Sequence, residues 1–178
     1  MVFRSHSSRT LWAALLIAFG LSVPNAVAQT ANGKLHPTKD RKVAPHLGLE
    51  DSEGRRANLE QYRGKVVVLD FWATWCHGCK EEIPWFAEFQ RKYGDDGLSV
   101  VGVSLDEDGW KVVKPFIQAT SVPYRIVLGN ASTAKAYAIE QMPDTFLIDR
   151  QGRVAAIYVG MVDRNGLEKN IRELLAQK

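Results

Sequence analysis

The stretch from Val66 to Cys79 constrains this chain more than any other. Val66-Val67-Val68-Leu69-Asp70-Phe71-Trp72 is apolar and β-branched apart from one acid. It runs into Ala73-Thr74-Trp75-Cys76-His77-Gly78-Cys79, and helical spacing follows from there to Tyr93. Those two cysteines are the only ones in 178 residues. A Cys-x-x-Cys turn between a strand and a helix is the arrangement of a reactive dithiol. The first thiol lies at a helix start, where unpaired N–H groups and the helix dipole favour its thiolate. A bridge over so short a loop restrains the unfolded chain little, so a purely stabilising role is the weaker reading.

Other uses of the spacing fail on their neighbours. A c-type haem site needs His directly after the second cysteine, where this chain has Lys80. A zinc site needs a second ligand pair, and His36, His46 and His77 do not supply one. No metal or other cofactor is therefore expected. A peroxiredoxin carries Thr-x-x-Cys, whereas Thr74 stands one residue too close to Cys76. The net charge of +3 without a Lys/Arg run speaks against nucleic acid as a partner.

The N-terminus reads as a targeting signal over residues 1–28. Arg4 and Arg9 precede an apolar run from Leu11 to Val23, and Ala26-Val27-Ala28 is a small-x-small cleavage site. That run is short of the ~20 residues that span a bilayer, and an uncleaved anchor is the alternative. Residues 29–41 read as a flexible mature N-terminus and 42–178 as one domain. This places the dithiol outside the cytoplasm, most simply in a bacterial periplasm, where it meets oxidising and reducing partners.

Within the domain, Ala44 to Leu59 reads as a short hairpin around Asp51-Ser52-Glu53-Gly54. Central strands follow at 65–71 and 98–105, each apolar on both faces as in a covered sheet. Helices are expected over 76–93, kinked at Pro84, then over 110–119, 131–138 and 167–176. Shorter strands are expected at 124–128, 146–149 and 153–159, the last two joined by a tight turn. Early β/α alternation with a late hairpin makes an α/β fold with a mixed sheet.

The order and several motifs resemble the thioredoxin fold, and more narrowly the periplasmic TlpA/ResA/CcmG-type thiol–disulfide oxidoreductases. The motifs are Asp70-Phe71-Trp72-Ala73-Thr74-Trp75-Cys76-His77-Gly78-Cys79, Pro84, Val100 to Asp106, and Met142-Pro143-Asp144-Thr145-Phe146-Leu147-Ile148-Asp149. The resemblance implies a three-layer α/β/α thioredoxin fold with an added N-terminal β-hairpin, and a monomer. It implies reduction of client disulfides in cytochrome c maturation or copper-site assembly. It also implies recharging by a membrane electron donor of the DsbD/CcdA type. An oxidase or isomerase of protein folding stays open, as does a redox sensor or metal-chaperone module.

In that frame Cys76 attacks a client disulfide and Cys79 resolves the mixed disulfide. Asp70 is costly in an apolar strand unless it has work or a partner. The resemblance places it below Cys79 as a proton-transfer group. Pro143 matches the family's cis-proline. Trp75, His77, Gly78 and Met142 would line the client groove. Glu107, or alternatively Asp106, matches a family acid near the site. The His77-Gly78 pair departs from the usual Gly-Pro, and a protonated His77 would stabilise the Cys76 thiolate. Asp144 departs from the usual small residue, and its charge would oppose that thiolate or select basic clients.

Overall fold

In the computed structural model, Met1 and residues 33–177 are described. Apart from Met1, the signal peptide read over 1–28 lies outside the described residues. The elements in order are β1 (Leu49–Glu50), β2 (Arg56–Ala57), β3 (Val66–Trp72), α1 (His77–Tyr93), β4 (Leu98–Ser104), α2 (Trp110–Thr120), β5 (Arg125–Leu128), α3 (Ala131–Ala136), β6 (Asp144–Ile148), β7 (Val154–Val159) and α4 (Arg164–Ala176). Short 3-10 turns occupy Thr38–Asp40 and Leu59–Tyr62.

Every residue of β3 and of β4 is buried, which a strand achieves only inside a sheet covered on both faces. The two pair in parallel, Val66 beside Leu98 and Trp72 beside Ser104. β6 flanks β3 antiparallel, and the sheet order is β5-β4-β3-β6-β7. On one face Val66, Val68 and Trp72 pack with Cys79, Ile83 and Phe86 of α1, with Val113 of α2 and with Leu167 of α4. On the other, Val67, Leu69 and Phe71 pack under Leu49 and Ala57 of the small hairpin and under Tyr137. The three-layer α/β/α thioredoxin fold with its added N-terminal hairpin is the architecture found.

Three boundaries differ for local reasons. α4 begins at Arg164 rather than Leu167, because the Asp163 carboxylate accepts the Gly166 N–H at 3.0 Å and caps the helix. β6 begins at Asp144, which pairs with Phe71 and Val159. α3 stops at Ala136, and Ala138 turns to positive φ of 53°.

Residues 33–41, read as part of a flexible N-terminus, instead form a strap along β7. Gly33 N–H donates to the Ile157 carbonyl and His36 N–H to the Ala155 carbonyl; Val154 N–H donates back to Lys42. The strap ends in a buried ion pair, Arg41 to Asp149 at 3.2 Å, with Gln177 and the His36 carbonyl also accepting from the guanidinium. Apolar periodicity cannot reveal such a segment, because backbone pairing and one arginine hold it.

Candidate active site

α1 starts where the sequence places the reactive turn. Cys76 is its N-cap residue, and its Sγ accepts the Cys79 N–H at 3.2 Å. The two cysteines form a disulfide with an S–S distance of 1.99 Å. Cys76 is 6% exposed and Cys79 fully buried, so Cys76 is the sulfur a partner can reach. The turn before the pair is anchored by Asp106, two residues after β4. Its carboxylate accepts from the Thr74 N–H at 2.9 Å, the Thr74 hydroxyl at 2.6 Å and the Ser104 hydroxyl at 2.8 Å. Trp75 is 68% exposed next to Cys76. His77 is exposed too, with Nε2 3.2 Å from the Glu81 carboxylate one turn on.

Pro143, immediately before β6, closes the site. The Met142–Pro143 peptide is cis, as the resemblance implies. A Cβ at position 78 would lie 3.5 Å from Pro143 Cδ and 3.0 Å from Met161 Cγ. Gly78 thus lets the turn sit directly against Pro143 and Met161. Met142 is half-buried beside this contact.

Beneath the dithiol lies a group of acids. Strand alternation puts Asp70 on the β3 face of Val68 and Trp72, the face that packs against Cys79. Neither Asp70 oxygen has a hydrogen-bond partner among the described residues. Burial pushes its carboxyl well above the usual range, and the charges of Glu82 and Asp144 push it further. Glu82 stands one turn after Cys79 in α1, fully buried. Its Oε1 accepts the Val162 N–H at 2.6 Å, and its Oε2 has no partner among the described residues. Burial raises it to about 7; the Val162 N–H holds it back, while Asp144 and Glu81 add to the rise. Asp144 is buried and accepts the Gly160 N–H at 3.1 Å, a donor that it shares with the Pro143 carbonyl at 2.8 Å. Burial raises its carboxyl, opposed by that N–H.

The structure brings Cys76, Cys79, Gly78 and Pro143 together, with Asp70 on the sheet face under the helix and Trp75, His77 and Met142 around the turn. Glu107 is exposed on the loop after β4, beside a groove with Gly129 and Asn130. Of the two neighbouring acids, Asp106 is the one bound to the active-site turn. Asp144 is buried and offers no carboxylate to a basic client. Glu82 and Met161 were missed by sequence reasoning. Glu82 looks like part of a solvated Lys80-Glu81-Glu82 run, although Phe86 and Phe89 at i+4 and i+7 mark its face as inward. No three His, Cys, Asp or Glu side chains converge as metal ligands among the described residues.

Residues 41–157 match the AhpC/TSA family. The thiol–disulfide oxidoreductase ResA of Bacillus subtilis is 34% identical over 148 residues, 82% of this chain and 79% of the relative. The chain is a ResA-type thiol–disulfide oxidoreductase of the AhpC/TSA family. ResA of Geobacillus thermodenitrificans is 33% identical over 74% of this chain and 76% of its own length. Among solved structures, a putative thiol:disulfide interchange protein DsbE from Chlorobium tepidum superposes with a TM-score of 0.72 at 33% identity, over 76% of this chain and 97% of that one. The ResA-type assignment fits a site that holds a dithiol and a group of buried acids: it exchanges disulfides with other thiols.

Proposed function

We infer that this oxidoreductase works outside the cytoplasm as a reductase of client-protein disulfides. The observation that supports this direction is the buried group of Asp70, Glu82 and Asp144 under the pair. A dithiol is a strong oxidant when its thiolate form is stabilised. Here the buried ionisable side chains of that group are all acids with raised pKa values, and whatever negative charge they carry disfavours the thiolate and with it the reduced form. His77 is the one cation candidate on the turn, and it is exposed and held by Glu81. The couple therefore gives electrons readily.

The reaction runs in two exchanges. The Cys76 thiolate attacks one sulfur of the client disulfide, and the departing client thiolate takes a proton. The Cys79 thiol, giving its proton to Asp70, then attacks Cys76 Sγ. The client leaves with both cysteines reduced, and Cys76–Cys79 is oxidised. A membrane electron donor of the DsbD/CcdA type would restore the dithiol. Cytochrome c precursors and copper-site proteins are the clients that the family resemblance suggests. A signal over residues 1–28, cleaved near Gln29, would deliver a monomeric domain to the periplasm.

The test is the reduction potential, measured by equilibrating the protein with glutathione or dithiothreitol buffers. A value below about −200 mV supports a reductase, and one near −120 mV, as in strong oxidants, removes that reading. Cys79→Ser stalls the mixed disulfide and identifies clients by the proteins it traps.

A further inference from the structure

Among the described residues, the buried side-chain atoms without a hydrogen-bond partner all belong to Asp70, Trp72, Glu82 and Thr145. Such atoms are costly one by one. In the sheet, Asp70 stands between Gly102 of β4 and Thr145 of β6. Residues paired across antiparallel strands put their side chains on the same face, with Cβ atoms about 4.5–5.5 Å apart. The Thr145 hydroxyl thus comes within reach of the Asp70 carboxyl by rotation about χ1. Gly102 has no side chain to offer, so Thr145 is the one side chain directly opposite Asp70. Next in the row is Tyr158, whose hydroxyl is engaged by Asn170 at 2.7 Å. The ionisable groups that face Asp70 bring no positive charge: Glu82 from α1, Asp144 from β6 and Tyr124 from the segment before β5. An ionised Asp70 therefore needs a neutral donor. Trp72 Nε1 is the other unpartnered donor on this face, 2.9 Å from where a Cβ of residue 102 would lie. Its ring is packed against Phe116, and an indole N–H can only donate, whereas a hydroxyl donates and accepts.

We propose that Thr145 is the positioning residue of Asp70: its hydroxyl donates to the ionised carboxylate and accepts from the carboxyl O–H once Asp70 has taken a proton. One side chain then serves both states of the acid, with a turn of the hydroxyl between them. Hydrogen bonds to an ionised partner are roughly twice as strong as neutral ones, so the bond favours the form of Asp70 that can receive a proton. Thr145 touches neither client nor sulfur in this role and acts only through Asp70. The inference rests on Asp70 as the acceptor of the Cys79 proton and is independent of the direction in which electrons flow.

The experiment follows the Asp70 carboxyl carbon of the oxidised protein by 13C NMR as pH is raised, with Asp70→Asn to assign the signal. Thr145→Val, similar in shape but without the hydroxyl, raises the midpoint of ionisation by about one pH unit, a tenfold change in proton affinity. Thr145→Ser, which restores the hydroxyl, keeps the wild-type midpoint. Release of the mixed disulfide, read by rapid quench at a pH below the midpoint, slows by up to about tenfold in Thr145→Val and not in Thr145→Ser. In an Asp70→Asn background Thr145→Val slows it no further. A Thr145→Val midpoint equal to wild type overturns the proposal, and the donor is then Trp72. An Asp70 that stays protonated over the whole range in which the protein is folded overturns it as well. Release at the wild-type rate in Asp70→Asn removes the proton-acceptor reading by itself, while the Thr145→Val midpoint still decides whether the hydroxyl holds the carboxylate.

Discussion

Glu82, on the cysteine helix, accepts the Val162 N–H at 2.6 Å and so ties α1 to the loop leading into α4. The bond spans 80 residues of sequence. It also leaves a carboxylate in a buried place, with consequences for both stability and chemistry.

The first consequence is a pH dependence of folding. Glu82 titrates from 4.5 when unfolded to about 7 when folded. Between those values the folded protein holds the extra proton. Its stabilisation is complete below about pH 4.5 and is lost as the pH rises through 7. Asp70 and Asp144 are also raised and act in the same sense. The urea midpoint of the oxidised protein should therefore fall from pH 5 to pH 8. Glu82→Gln should flatten that fall by about 2 kcal/mol. A midpoint that rises over this window would remove the assignment of a raised carboxyl.

The second concerns Gly78. A Cβ there would meet Met161 Cγ at 3.0 Å, tighter than ordinary contact, so Met161 must shift to admit it. Gly78→Ala gains helix propensity, worth up to about 1 kcal/mol in a helix interior, and loses it again to the crowding. In a double-mutant cycle, Gly78→Ala and Met161→Ala should couple by about 0.5–1 kcal/mol, each partly relieving the other. Thermal denaturation of the four proteins measures it. Additive effects would mean that the two side chains do not touch.

Much of this site could be read before the fold was known. The Cys76/Cys79 turn, the Asp70 position and Pro143 each carry a local pattern: a cysteine spacing, an acid in an apolar strand, a motif 67 residues past the turn's first cysteine. What escaped reading has no local pattern. Glu82 sits among Lys80 and Glu81 and looks like surface until the wheel is drawn through Phe86 and Phe89. Met161 earns its place only through Gly160, Pro143 and Gly78, which three separate segments bring together. Glu107 and Asp106 are neighbours in a loop, and only the path of the chain after β4 decides that Asp106 turns in toward Thr74. The strap of residues 33–41 depends on the exposed edge of β7, which no single segment announces.

The strap leads to a third expectation. The Arg41 side chain is buried against Asp149. Asp149 is pushed up by burial but pulled below its usual value overall by hydrogen bonds from Arg153 and Arg41. Because Arg153 and backbone N–H groups also hold Asp149, losing Arg41 does not strand a bare charge. Arg41→Ala should cost about 2 kcal/mol, less than the 3–5 of an uncompensated buried pair. It should also speed amide exchange at Gly33 and His36, while the disulfide-exchange rate stays as in wild type, since Asp149 follows the end of β6 opposite to Pro143. Exchange monitored by mass spectrometry and urea unfolding together check it.

The last expectation separates what Asp70 does for the fold from what it does for the reaction. Both of its oxygens are buried without partners among the described residues, and each neighbouring acid named above makes ionisation harder. As a structural group it is a liability, and Asp70→Asn should raise stability at pH 8 by about 1–3 kcal/mol. At low pH, where Asp70 is already neutral, the gain should shrink. As a proton acceptor for Cys79 it should be hard to replace, because asparagine cannot take the proton. The release of the mixed disulfide, followed by rapid quench, should slow by about 10²-fold or more, within the range of general acid–base catalysis. The initial attack by Cys76 should change much less, since that thiol sits at the helix start and is the more accessible of the two. A stabilised Asp70→Asn protein that releases client at the wild-type rate would leave Asp70 without a catalytic role, and Glu82 would be the acid to test next.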